Sequence, residues 1–157
     1  MSLLIERMLI RDLANIAPSI SVPYKARRSG RVLVIQALYE IDEVKHDPEE
    51  TMDRWVKEYG LSPSAENFSR KLLLGVLENL ERIDIIIGAH APEWPINQIA
   101  AIDRNLLRTT VYEIVIATET PPKAAINEAV EIAKIFGSDN SPKFINGVLG
   151  SVMEEIG

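Results

Sequence analysis

Apolar residues recur along this chain at the three- and four-residue spacing of helices, and polar turn residues punctuate them. Residues 3–16 place Leu4, Ile5, Met8, Leu9, Leu13 and Ile16 on one stripe, after which Pro18 and Pro23 end the regularity. A helix from about Ser29 to Val44 is predicted to bury some of Leu33, Val34, Ala37, Leu38 and Ile41. Asp47 with Glu50 forms a capping pattern around Pro48, and that helix carries Met52, Trp55, Val56 and Tyr59 before stopping at Gly60. Ser62-Pro63 opens the next, with Phe68, Leu72, Leu73, Val76 and Leu80 on its apolar stripe. A further run holds Ile83, Ile86 and Ile87 and stops before Pro92 and Pro95. Asp103 is the expected N-cap of a helix that turns Leu107, Thr110, Val111 and Ile114 inward. Pro121-Pro122 opens a helix that Gly137 closes, and Ser141, as N-cap, with Pro142 opens the last.

Strand signals are poor. Ile83–Ile87 and Val111–Ile116 are β-branched, yet each lies inside a longer helical period without a hairpin turn beside it. About seven helices with brief connections predict an all-α fold of two small packed bundles, joined at the proline-rich stretch 92–95. Residues 1–25 read as an N-terminal extension and 26–157 as the main helical domain. No internal repeat or low-complexity tract is evident. One dipeptide is out of place: Asn146-Gly147 favours a turn but sits within a helical stripe. Glycine costs ~1 kcal/mol against alanine there, so a neighbouring helix or a ligand is expected to come close. For Gly147 and Gly150, which mimic a G-x-x-G clamp, close helix packing is the favoured reading.

Composition narrows the function. Zero cysteines exclude a disulfide framework, zinc ribbons and thiol nucleophiles. The two histidines, His46 and His90, belong to no metal-ligand spacing and read as surface residues; the glycines form no phosphate loop. No enzyme, cofactor or metal site is expected. No apolar run approaches the length of a membrane span, and residues 1–13 lack the clean core of a secretion signal, so a cytoplasmic protein is the default. The net charge of −6 argues against general nucleic-acid binding. Its distribution argues otherwise: Leu13 to Tyr39 contains Lys25, Arg27, Arg28 and Arg31 and no acid. On a helix Arg27 and Arg31 share a face, and arginine offers fixed donors for phosphate and a plane that stacks on unpaired bases.

Three segments carry a resemblance. The stretch P-P-K-A-A-I-N-E-A-V-E-I-A-K-I-F-G with K-F-I-N-G-V-L, the run Arg27-Arg28 to Arg31 with Gln36-Ala37-Leu38-Tyr39, and Ile102-Asp103-Arg104 through Tyr112-Glu113 resemble the NusB family of transcription antitermination factors. The resemblance spans roughly residues 26–155. It implies an all-α fold and an RNA-binding adaptor that holds single-stranded boxA RNA of ribosomal RNA transcripts. It also implies docking on NusE, a small-subunit ribosomal protein, within an RNA polymerase antitermination complex. The RNA-binding positions it implies are Lys25, Arg27, Arg28 and Arg31, with Asn140, Ser141, Lys143 and Phe144 in a turn beside them; Tyr39 and Asp103 fall in the NusE interface. Gly30 stands where the family usually has alanine, which predicts a looser presentation of the arginines. Asn140 and Pro142 replace the family's usual Asp and His. Periodicity leaves Phe144 open between core and RNA contact; Trp55 and Trp94 are read as packing residues. A helical interaction module without RNA, or the NusB-like domain of a ribosomal RNA cytosine methyltransferase, are the alternatives, and a homodimer is compatible with the sequence.

Overall fold

The computed structural model describes residues 22–157, with side chains from residue 27 onward, so the stripe over 3–16 and the side chain of Lys25 lie outside the described residues. Seven α-helices are present among them: α1 (Val22–Tyr39), α2 (Pro48–Tyr59), α3 (Pro63–Glu78), α4 (Leu80–His90), α5 (Ala101–Val111), α6 (Pro122–Phe136) and α7 (Ser141–Ile156). A short 3-10 turn, Ile96–Gln98, precedes α5. The described residues contain no strand. Pro23 lies within α1 as described, so the helical run extends back past the start expected near Ser29.

The chain forms two compact units that meet in sequence between Leu73 and Leu74. This differs from the junction expected at 92–95. Those prolines end α4, whereas the boundary between units falls inside α3, where no residue breaks the helical pattern. In the first unit Leu33, Ile35 and Leu38 of α1, Met52 and Trp55 of α2, and Ala65 and Leu72 of α3 are buried. The Glu50 backbone N–H donates to Asp47 Oδ2 at 3.0 Å, and Gly60 closes α2 at φ 59°, in the left-handed region open to glycine. In the second unit Ile83 and Ile87, Leu106 and Leu107, Ile132 and Ala133, and Ile145 and Leu149 are buried on four successive helices. There the Arg108 guanidinium on α5 grips Asp84 of α4 through two hydrogen bonds of 2.9 Å. His90, expected at the surface, bridges Ser151 (2.7 Å) and Glu155 and so fixes the end of α4 to α7.

Two helices change their winding before they end, although the helical run of α1 stops at Val44 as its apolar pattern predicts. α1 runs on into a π-helical segment, Glu40–Val44, and α5 into another, Tyr112–Ala117. Each then turns through a left-handed residue, Lys45 (φ 63°) or Thr118 (φ 53°), before a helix opened by proline. A repeat that the residue pattern conceals emerges here. Arg31, Tyr39, Glu40 and Ile41 recur at the same spacing as Arg104, Tyr112, Glu113 and Ile114. In both copies the arginine and the glutamate are buried. Each glutamate accepts a threonine hydroxyl at 3.2 Å, from Thr51 to Glu40 and from Thr120 to Glu113. Glycine then closes the next helix and a Ser-Pro pair opens the one after, at Ser62-Pro63 and at Ser141-Pro142. Hydrophobic stripes hide this likeness because the shared features are polar and conformational.

Candidate functional site

The predicted site residues fall in both units. In the first, Arg27 and Arg31 lie one turn apart on α1, and both guanidinium groups sit over the Phe68 ring of α3, at 5.4 and 5.2 Å from its centroid. Arg27 is exposed and Arg28 partly so, whereas Arg31 is only 6% exposed. Gly30 makes this stacking sterically available. A Cβ there would lie 3.0 Å from Phe68 Cδ2 and 3.4 Å from the Ala65 carbonyl oxygen. Gly30 therefore lets α3 approach α1 within a regular helix; it does not loosen a turn, as its replacement of alanine suggested.

Beyond the predicted set, the first unit holds a buried acid. Glu40 accepts hydrogen bonds from Thr51 (3.2 Å), Trp55 Nε1 (3.3 Å) and Arg54, with His46 Nδ1 at 2.9 Å. Burial pushes its carboxyl up, but the hydrogen bonds to His46, Arg54 and Thr51 and the Arg54 charge hold it below the usual glutamate range. The cluster fixes the π segment directly after Tyr39, itself buried. Tyr39 thus reaches solvent only through a small fraction of its surface.

In the second unit the first turn of α7 contains no acid, and its positive dipole end is reinforced by exposed Lys143. Asn140 is exposed and Phe144 partly exposed, while the core face of α7 is made by Ile145, Val148, Leu149 and Val152. Ser141 is buried instead: its hydroxyl accepts the Ser138 N–H at 2.9 Å. The residue at the N-cap position is Asn140, not Ser141, and the turn before it is tight: a Cβ at Gly137 would lie 2.5 Å from that of Ser141. Asp103 likewise is not the cap of α5, a position held by Ala100. It is 8% exposed in the first turn of the helix. Burial raises its carboxyl above the ordinary aspartate range, partly offset by a hydrogen bond with Ser141, and its Oδ1 meets no protein donor.

Phe144 borders two adjoining clefts. The smaller, about 210 Å³, is lined by Trp94, Gln98, Asp103, Asn140 and Phe144 among others. The larger, about 480 Å³, adds His90, Glu93, Lys143 and Gly147 around the same two aromatic residues. Trp55 is buried as expected, but Trp94 is 51% exposed. Its loop is held firmly: Trp94 N–H donates to the Ala91 carbonyl at 3.1 Å, and Arg104 reaches back to the carbonyls of Ile99 (2.9 Å) and Ile96 (3.4 Å). Phe68, Trp94 and Arg104 were absent from the predicted site. For Trp94 a signal existed, an aromatic between Pro92 and Pro95 with no helical stripe to bury it. Close packing does not explain the helical glycines, since a Cβ at Gly147 or Gly150 would meet nothing within 4 Å.

Comparison with known proteins places these features in a family context. The NusB family model matches residues 28–154. A transcription antitermination protein NusB of Roseiflexus sp. (strain RS-1) is 44% identical over 129 residues, covering 81% of this chain and 91% of the relative. The NusB of Bacillus pumilus (strain SAFR-032) is 38% identical over 130 residues, covering 83% and 96%. Among solved structures, T. maritima NusB superposes with a TM-score of 0.76 at 34% identity, covering 82% of this chain and 91% of that one. A structure of antitermination factors NusB and NusE in complex with dsRNA gives 0.77 at 26% identity, covering 83% and 98%.

Proposed function

The chain belongs to the NusB family of transcription antitermination proteins, and we propose that it acts as a non-enzymatic adaptor holding single-stranded boxA-type RNA of ribosomal RNA operons while docking NusE. The observation that carries the RNA reading is exposed Arg27, whose guanidinium is ordered over Phe68 beside that of buried Arg31. A guanidinium on a ring keeps its plane and donors in place before a ligand arrives, so less side-chain freedom is lost on binding. Arg27 and Arg28 are the phosphate-facing members. Arg31, being buried, positions the group and stabilises the fold. At the first turn of α7, Lys143 offers a charge and Phe144 a ring, and Asn140 adds an exposed amide. Ser141 supports them from beneath. A handful of cations gives only a modest counterion-release contribution, so tight binding needs NusE and RNA together. Tyr39 and Asp103 are each more than nine-tenths buried; they contribute to docking by holding the surface around them. Such a protein works in the cytoplasm within the transcribing RNA polymerase complex. Among the described residues, no helix is long and apolar enough to cross a membrane.

The test is a titration with boxA-like RNA in the presence of NusE at several salt concentrations. Replacing Arg27 and Arg28 by alanine is expected to flatten the salt dependence by roughly one unit per lost phosphate contact at nearly unchanged melting temperature. If the double variant binds boxA RNA as tightly as the unaltered protein at every salt concentration, this site is wrong.

A further inference from the structure

We infer that the clefts between the Trp94 loop and the start of α7 take one unpaired nucleobase of the bound RNA, with Trp94 and Phe144 as its two aromatic walls. This rests on the RNA-binding reading above and adds to it a residue and a ligand group. Four observations carry it. First, Trp94 and Phe144 both line both clefts, and neither ring is sequestered in the core. Second, the loop bearing Trp94 is closed by its own turn hydrogen bond, and the segment just beyond it is tied to Arg104 of α5 through the carbonyls of Ile96 and Ile99. An exposed indole on a fixed loop is a poor packing element and a good stacking platform, because every base presents a π face. Third, Gly147 lines the larger cleft although nothing crowds it. With close helix packing eliminated, the helix-weakening glycine is explained by the space it leaves beside Phe144. Fourth, the charges suit a base with its phosphate outside. Lys143 and the first turn of α7 border the clefts, while Glu93 and the unpartnered Asp103 oxygen make the surroundings unfavourable for an anion within. Neutral heteroaromatic rings carrying N–H donors meet both conditions.

Tryptophan emission tests this directly, because Trp55 is 5% exposed and Trp94 is 51% exposed. Titrating the full chain with single-stranded boxA-like RNA is expected to quench the Trp94 emission as the RNA binds. Trp94→Ala should weaken binding about 5- to 150-fold, the range for loss of one stacked base, with an unchanged melting temperature, and Trp94→Phe should restore most of it. Among RNAs with a single abasic nucleotide, one position should weaken the unaltered protein but not Trp94→Ala. The inference is overturned if the RNA binds without quenching and Trp94→Ala binds it equally well. It is also overturned if Trp94→Ala loses NusE docking but keeps its RNA affinity, which would give the cleft to a protein side chain. Failure of the unaltered protein to bind RNA at all, with NusE present, would instead reject the RNA reading itself.

Discussion

Glu40 shows how one residue converts sequence into architecture. A carboxylate this buried is tolerated because four neighbours direct polar hydrogens at it. Glu40→Gln keeps the volume but loses the charge and leaves donors without an adequate acceptor, so stability should fall by about 1–3 kcal/mol near neutrality. The pH dependence has a defined sign. The folded carboxyl lies below its ordinary range, so Glu40 contributes stability above that range and loses it as the pH falls through its folded value. Thermal melts of both proteins across the acid limb should therefore converge; a difference that stays constant with pH would contradict the assignment. Glycine makes the complementary point at position 75, where a Cβ would lie 2.1 Å from the Tyr112 ring. Nothing in the local sequence announces that approach, because the tyrosine that requires it is distant along the chain.

At the scale of elements, α7 separates the two readings that periodicity left open for Phe144. Its core stripe is complete without that ring, which borders the clefts. Phe144→Ala should consequently lower RNA affinity by ~1–3 kcal/mol while leaving the melting temperature nearly unchanged. A loss of ~3–5 kcal/mol in stability, the value for a core phenylalanine, would place it in the interior. Most helices were readable because their caps are local chemistry: Asp47, Gly60 and Ser62 act within four residues of themselves. The failures are equally instructive. Asp103 and Ser141 look like caps, yet each side chain is drawn into contact with the other across two helices, a partnership that no spacing rule contains. Arg27 and Arg31 were visible as a pair, but Phe68 beneath them was not, since its own helix reads it as part of an apolar stripe.

Over the whole molecule, the strongest organising feature is the doubled sequence of helix, π segment, left-handed residue and proline-led helix, one copy in each unit. Both copies end a long helix so that a buried glutamate meets a threonine from the segment that follows. A π turn is an α-helix accommodating one residue more than its regular ladder can hold. In terms of residue count, each segment carries one residue more than an α-helix would hold there, and a one-codon deletion is the change that would undo it. Loss of Ile41 should let the backbone close into an ordinary α-helix, rotating everything beyond it by about 100°. Far-UV circular dichroism would then stay nearly unchanged while the melting temperature dropped sharply, because Glu40 would no longer face its donors; an unchanged melting temperature would show the extra residue to be idle. At these two points, then, the number of residues fixes which side chains face the core as firmly as their identity does.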